Sequence, residues 1–224
     1  VHVLATNHHV CPVERDCVGD MADFRILKKR FKMTKLFITS PSVDLALLAI
    51  DVPSSDEAAL ASVAKNFSFK KDLKKGQDLL TIGFGVGGNP QNYMMANQDS
   101  DCKVFSATAD YKLMADPDEF NPAGYKAWSF AHACDISHGD SGSAMVDRKS
   151  GDVVGIVWTG KIPKASEVQI SANLSKIFSA SSPAIWKELS YAVPASKIGE
   201  HLKKLTNDSQ LDSETKLVFK AIIK

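Results

Sequence analysis

The sequence predicts an all-β protein, a sandwich or barrel, with a helix near its C-terminal end. Three observations carry this. The apolar stretches are short, Gly, Pro, Asn and Asp separate them, and helical periodicity is confined to the end of the chain. Regular short strands with turn signals between them mark barrels and sandwiches. A chain of 224 residues accommodates two small barrels sharing one cleft, because all-β folds often run to this size as one unit.

Taken in order, the expected strands fall at 1–5, 35–39, 45–50, 79–84, 103–107, 127–133, 143–146 and 153–158, each an apolar run bounded by turn formers. Lys28, Lys29, Arg30, Lys32 and Lys35 alternate with Phe31, Met33, Leu36 and Phe37, the pattern of a strand or hairpin with one solvated face. A helix is expected over 194–205. Pro194 suits its first turn, Ile198, Leu202 and Leu205 recur at helical spacing, and lysines near its end favour the helix dipole. A second short helix is expected over 213–223, opened by a Ser-Glu pair. Residues 161–189, with Pro163, Pro183 and Ser-rich turns, form a long excursion between two strands, either a functional loop or a packed surface insertion.

Composition bounds the function. Hydrophobic residues at 44% and charged residues at 24% match an ordinary globular protein with a proper core. A net charge of +1 and a pI near 7.8 give no reason to expect nucleic acid as a partner. No apolar run reaches the roughly 18 residues of a membrane helix, and no leader opens the chain, so a soluble protein without a membrane span is expected. Cys11, Cys17, Cys102 and Cys134 form no C-x-x-C pair, and no His stands at zinc-finger spacing. Disulfides are therefore favoured over metal, and with them a secreted or periplasmic location.

The chemistry is concentrated in three places. Gly139-Asp140-Ser141-Gly142-Ser143 puts a serine between glycines, on a turn tight enough for the N–H groups of Gly139 and Ser141 to converge as an acyl-transfer oxyanion requires. A serine hydroxyl needs a base within hydrogen-bond reach and a third group to orient that base. Thr6-Asn7-His8-His9-Val10 ends one apolar strand and Asp44-Leu45-Ala46-Leu47-Leu48 begins another, with a single carboxylate that would be costly to bury without a donor such as an imidazole N–H. Singly, these are a polar turn, a strand-end histidine and a capping aspartate. Their joint occurrence is not explained that way.

Together these segments resemble the His, Asp and Ser motifs of chymotrypsin-fold serine proteases, in that chain order, with the bacterial-type branch of glutamyl endopeptidases and HtrA proteases the nearest. The resemblance spans roughly 1–205 and implies one domain of two antiparallel β-barrels of the six-stranded type, the first over about 1–88 and the second over about 100–205, followed by a C-terminal tail at 206–224. It includes Val153 to Gly160, which looks like the family's substrate-pairing edge strand, and Tyr191-Ala192-Val193-Pro194 before the closing helix. It implies peptide-bond hydrolysis without metal or organic cofactor, with protein or peptide substrates. Ser141 would be the nucleophile, His9 rather than His8 the base, Asp44 the group orienting it, and Gly139 and Ser141 the oxyanion donors. Asp140 would help set the oxyanion loop or serve as a turn residue. Only eight residues precede His9, so the first barrel is expected to lack its N-terminal strands. The rival reading is a non-catalytic binding protein on the same fold.

Among the finer expectations, Cys11 pairs with Cys17 and Cys102 with Cys134, crossed pairing being the alternative. Asp135, six residues before Ser141, stands where the trypsin branch attracts Lys or Arg side chains. Val157, Trp158 and Gly160 complete the expected substrate-binding set, Gly160 leaving the pocket open and Val157 replacing the histidine of glutamyl specificity. Cleavage after Lys or Arg is thus set slightly ahead of cleavage after apolar residues. His138 either lines the cleft or is merely exposed. Gly83-Phe84-Gly85-Val86-Gly87-Gly88 satisfies G-x-G-x-x-G, but Asn89-Pro90 follows where a helix should open, so it reads as a loop between strands. Sequons stand at Asn66, Asn173 and Asn207.

Overall fold

The computed structural model describes residues 1–85, 93–106, 110–118, 123–160 and 189–224. The 161–189 excursion, except its last residue, the sequon at Asn173 and the second half of the Gly83–Gly88 string lie outside them. Strands β1 (His2–Thr6), β2 (Met21–Phe24), β3 (Lys29–Ser40) and β4 (Leu45–Asp51) form an antiparallel half-barrel sheet in the order β1-β4-β3-β2. Strands β5 (Leu79–Gly83), β6 (Met95–Asn97), β7 (Lys112–Ala115), β8 (Lys126–His132), β9 (Ala144–Asp147), β10 (Val153–Gly160) and β11 (Ser190–Pro194) form a second, seven-stranded sheet in the order β6-β5-β9-β10-β11-β8-β7. Helices α1 (Glu57–Val63), α2 (Ala195–Leu205) and α3 (Ser213–Ile222) complete the described elements. This is the all-β, chymotrypsin-like architecture that the sequence predicts.

The positions of the strands follow from their burial. Strand β4 is buried on both faces from Leu45 to Ile50, because Leu45, Leu47 and Ala49 enter the large apolar cluster while Ala46 and Leu48 pack with Cys11 and Cys17 on the opposite face. In β3 the lysines stay out while Phe31 and Phe37 turn in, as the alternation requires. The largest apolar cluster joins Val43, just before β4, and Leu45 and Leu47 of the first sheet to Ile156, Trp158 and Tyr191 of the second and to Ile198, Leu202 and Phe219 of α2 and α3. The helix expected over 213–223 is α3, which seats Phe219 in the shared core, and the Asp212 side chain caps it by accepting from the Thr215 N–H at 2.9 Å.

Several elements differ from expectation. The stretch around Lys103 pairs only through isolated bridges, Asp78 with Lys103 and Val104 with His132, because the chain crosses from β5 to β8 there rather than following either. Strands β2, β6 and β7 and helix α1 escaped notice. Each carries few buried residues, α1 only Leu60, so apolar periodicity had little to report.

Both expected disulfides are present, Cys11–Cys17 and Cys102–Cys134. The second closes a loop of sequence separation 32 and ties the segment leading to Ser141 onto its neighbour. A loop of that size contributes roughly 3–4 kcal/mol in the chain-entropy account.

Beside this bridge, His132 is fully buried, and its Nδ1 accepts from the Cys134 N–H at 3.2 Å. Burial pushes its imidazole down to about 3, against a smaller opposite pull from the Tyr191 backbone. The folded state thus keeps His132 neutral where the unfolded chain, with an ordinary imidazole near 6.5, takes up a proton. That stabilisation is complete above about pH 6.5 and declines by up to about 1.4 kcal/mol per pH unit down to about 3. Burial also depresses His8 and His201. Urea unfolding at pH 7, 6 and 5 is expected to show a loss of stability that His132→Gln flattens; an unchanged slope in that variant would assign the loss elsewhere.

Candidate active site

Strand β1 ends at Thr6, and the turn that follows is fixed by hydrogen bonds before any chemistry is considered. Asn7 is fully buried and donates from Nδ2 to the Asp44 carbonyl at 3.0 Å, and the Cys11 N–H donates to the Asn7 carbonyl. Cys11–Cys17 ties the far side of the turn. The Thr39 hydroxyl donates to the Cys11 carbonyl at 2.9 Å, so it meets His8 Nδ1, 2.5 Å away, as an acceptor. His8 is held by β3 through this bond. His9 is left to face Asp44 and Ser141.

Asp44 leaves a short 3-10 turn, Pro41–Val43, in the left-handed region (φ 34°) and is 0% exposed. A buried carboxylate needs donors, and three are present. His9 Nδ1 lies 2.8 Å from Oδ2, the His9 N–H donates to Oδ1 at 3.0 Å, and the Tyr125 hydroxyl donates to Oδ1 at 2.5 Å. On the other side of the imidazole, His9 Nε2 lies 2.8 Å from Ser141 Oγ. An unbroken hydrogen-bonded chain therefore runs from a buried carboxylate on the first sheet, through a partly exposed imidazole, to a hydroxyl on the second.

Ser141 stands on the turn between β8 and β9. Val157 N–H donates to the Ser143 carbonyl at 2.9 Å and Gly142 N–H to the Val157 carbonyl at 3.0 Å, which extends the β9–β10 pairing to the serine. The N–H groups of Asp140 and Ser143 reach the carbonyls of Ser137 and Asp140. Those of Gly139 and Ser141 donate to no acceptor among the described residues. Gly139 adopts φ +98°, and a Cβ there would come within 2.8 Å of the Phe84 carbonyl, so only glycine fits.

Asp140 decides the shape of this turn. Its Oδ1 accepts from the Gly85 N–H and its Oδ2 from the Ser137 N–H, both at 2.9 Å. A Cβ on Gly85 would lie 2.1 Å from Ser137 Oγ and 2.4 Å from Asp140 Oδ2. The Gly-x-Gly at 83–85, read from sequence as a loop, is thus a close backbone approach that lets a distant segment clasp the serine turn.

A cleft of about 400 Å³ opens beside Ser141. Of the expected substrate-binding residues, Val157, Trp158 and Gly160 line it, as do His138, Tyr125 and Asp116. Asp135 does not. It is exposed, because its neighbour Ile136 turns into the cleft and sends Asp135 the other way, where loss of hydration and then repulsion from Asp101 and Asp99 push its carboxyl up. Strand β10 is not an edge along its whole length: β9 covers it up to Ile156, and only Trp158 to Gly160 run beyond that pairing. Tyr125 and Gly85 are the site residues that sequence reasoning missed.

Two antiparallel sheets that meet at a cleft, with a histidine and an aspartate from the first facing a serine from the second, define the chymotrypsin-like class of hydrolase. Residues 2–156 match the family described as the trypsin-like peptidase domain, and the chain belongs to that family as a serine protease. Among solved structures, the active form of the Rv3671c protease from M. tuberculosis is 20% identical, with a TM-score of 0.55 over 94% of this chain and 72% of that one. A variant of the HtrA-type protease AlgW with a decapeptide is 18% identical, with a TM-score of 0.57 over 93% of this chain and 49% of that one. The serine endoprotease from Yersinia pestis is 16% identical, with a TM-score of 0.53 over 92% and 54%. These likenesses lie in the fold. No curated protein sequence matches this one significantly.

Proposed function

We propose that this chain is an endopeptidase that works through an acyl-enzyme on Ser141. The carrying observation is the continuous chain from Ser141 Oγ to His9 Nε2 and from His9 Nδ1 to Asp44 Oδ2, each link 2.8 Å. In this reading the Ser141 hydroxyl attacks the scissile carbonyl while its proton passes to His9 Nε2, and Asp44 holds the tautomer and steadies the imidazolium. The oxyanion forms against the N–H groups of Gly139 and Ser141. His9 returns the proton to the leaving amine, and water repeats the sequence to release the acid. The substrate backbone lies along Trp158 to Gly160. The expected preference for Lys or Arg draws its support from the cleft's own charge, Asp116 and Asp118 with no Lys or Arg among the described lining residues, rather than from Asp135. Both disulfides support a secreted or periplasmic place of work.

A non-catalytic binder on this fold would have no need of the aligned chain of donors. A fluorophosphonate probe separates the two readings, since it requires an activated serine. Stoichiometric labelling of Ser141, lost in His9→Ala, is expected. No labelling of the intact protein would favour the binder.

A further inference from the structure

The Asp44 carboxylate has a third partner, and it comes from the other sheet. Tyr125 lies immediately before β8, and its hydroxyl reaches across the cleft to Asp44 Oδ1 at 2.5 Å. Its ring is fixed independently of that bond. It stacks on Trp158 with centroids 6.4 Å apart and planes 24° apart, and Trp158 is itself buried and donates from Nε1 to Ser129 Oγ at 2.9 Å. On its other side the ring meets His8 edge to face at 5.1 Å. The phenol is thus aimed by a rigid platform rather than by the carboxylate it serves. Burial first, then the hydrogen bond to Asp44, hold the phenol well above its ordinary range, so it stays a donor.

We infer that Tyr125 is a positioning residue for the hydrolytic machinery: its hydroxyl fixes the Asp44 carboxylate from the second sheet, so that His9 is oriented only when the two sheets are docked. The inference rests on the triad reading above. It follows from the count of donors at a buried carboxylate. Among the described residues Oδ2 is engaged by His9 Nδ1 alone, whereas Oδ1 holds both the His9 N–H and Tyr125. Without the phenol, both carboxylate oxygens are held by His9 alone among the described residues, with no tie to the second sheet, and the carboxylate is freer to rotate about its Cβ–Cγ bond. The charged or titratable groups facing the phenol are Asp44, His8, His9 and Asp116. More negative charge would remain on Asp44 for His9, favouring the imidazolium.

Tyr125→Phe keeps the ring, its stack and its burial and removes one oxygen. Its kcat is expected to fall roughly tenfold, the scale of a hydrogen bond to a charged group, with KM unchanged because the cleft wall is intact. The acid limb of kcat/KM is expected to move to higher pH, and the low-field proton resonance of the His9 Nδ1–H to shift, a readout that does not depend on turnover. Ser141→Ala is measured alongside. If Ser141→Ala is inactive but Tyr125→Phe matches the unaltered protein in kcat, acid limb and resonance, the role of Tyr125 is overturned while the triad stands. A fall in thermal stability without movement of limb or resonance overturns it too. If Ser141→Ala keeps its turnover, the triad reading fails and this inference with it.

Discussion

Ser141→Ala and His9→Ala are each expected to lower kcat/KM by about 10^4-fold or more, and the double variant by little beyond either, because groups acting as one unit are not additive. The geometry gives the reason. His9 Nε2 is 2.8 Å from Ser141 Oγ, and its other nitrogen is committed to Asp44, so removing either side chain leaves no described group placed to exchange the hydroxyl proton. His8→Ala is the control. His8 borders the cleft but is turned onto Thr39, so its loss is expected to stay within about tenfold, through substrate contact rather than chemistry. Steady-state kinetics on a mixed peptide pool decides this. Comparable losses for His8→Ala and His9→Ala would move the base to the wrong histidine.

Asp140→Ala is expected to lower kcat by about 10^2- to 10^3-fold with little change in KM, the effect of a disrupted oxyanion turn. Asp140 touches no reacting atom. It acts by accepting the Gly85 and Ser137 N–H groups, and with its carboxylate gone both donors lose their acceptor while the peptide units bearing Gly139 and Ser141 N–H are free to turn. Asp140→Asn keeps one acceptor oxygen but sets an NH2 against the second donor, so an intermediate loss is expected. Fluorophosphonate labelling of Ser141 should slow in step with kcat. Full activity in Asp140→Ala would show that the turn holds its shape without the clasp.

The fold and the hydroxyl-imidazole-carboxylate chain were legible because each rests on a local pattern. Period-two alternation shows in β3, the buried run in β4, and a glycine-flanked serine needs no distant partner to be noticed. What escaped is what only three dimensions bring together. Tyr125 sits in a polar stretch with nothing to mark its hydroxyl as bonded to a residue 81 positions away. Gly85 gave a signal, paired glycines after an apolar strand, but its meaning depends on Asp140 arriving alongside it. Asp135 shows the limit at a smaller scale: counting from Ser141 fixes a position but not the side of the chain it faces, and it is Ile136 that lines the cleft while Asp135 is exposed. The helix over 213–223 is legible in the sequence but its seat is not, since Phe219 alone does not reveal a core about 180 positions upstream at Phe37 and Val43.

His9 and Ser141 stand 132 positions apart, and β10, which borders the serine turn, is flanked on one side by β11, nearly the last strand of the chain. A ribosome delivers the histidine and aspartate early and the closing strand late. Until Ser141 and β11 emerge, the growing polypeptide holds a base with no hydroxyl to act on, and the long-range pairings that unite them must wait for both. The hydroxyl-imidazole-carboxylate chain is thus completed only once Ser141 and β11 have both emerged, and a nascent polypeptide short of that point carries its parts unjoined.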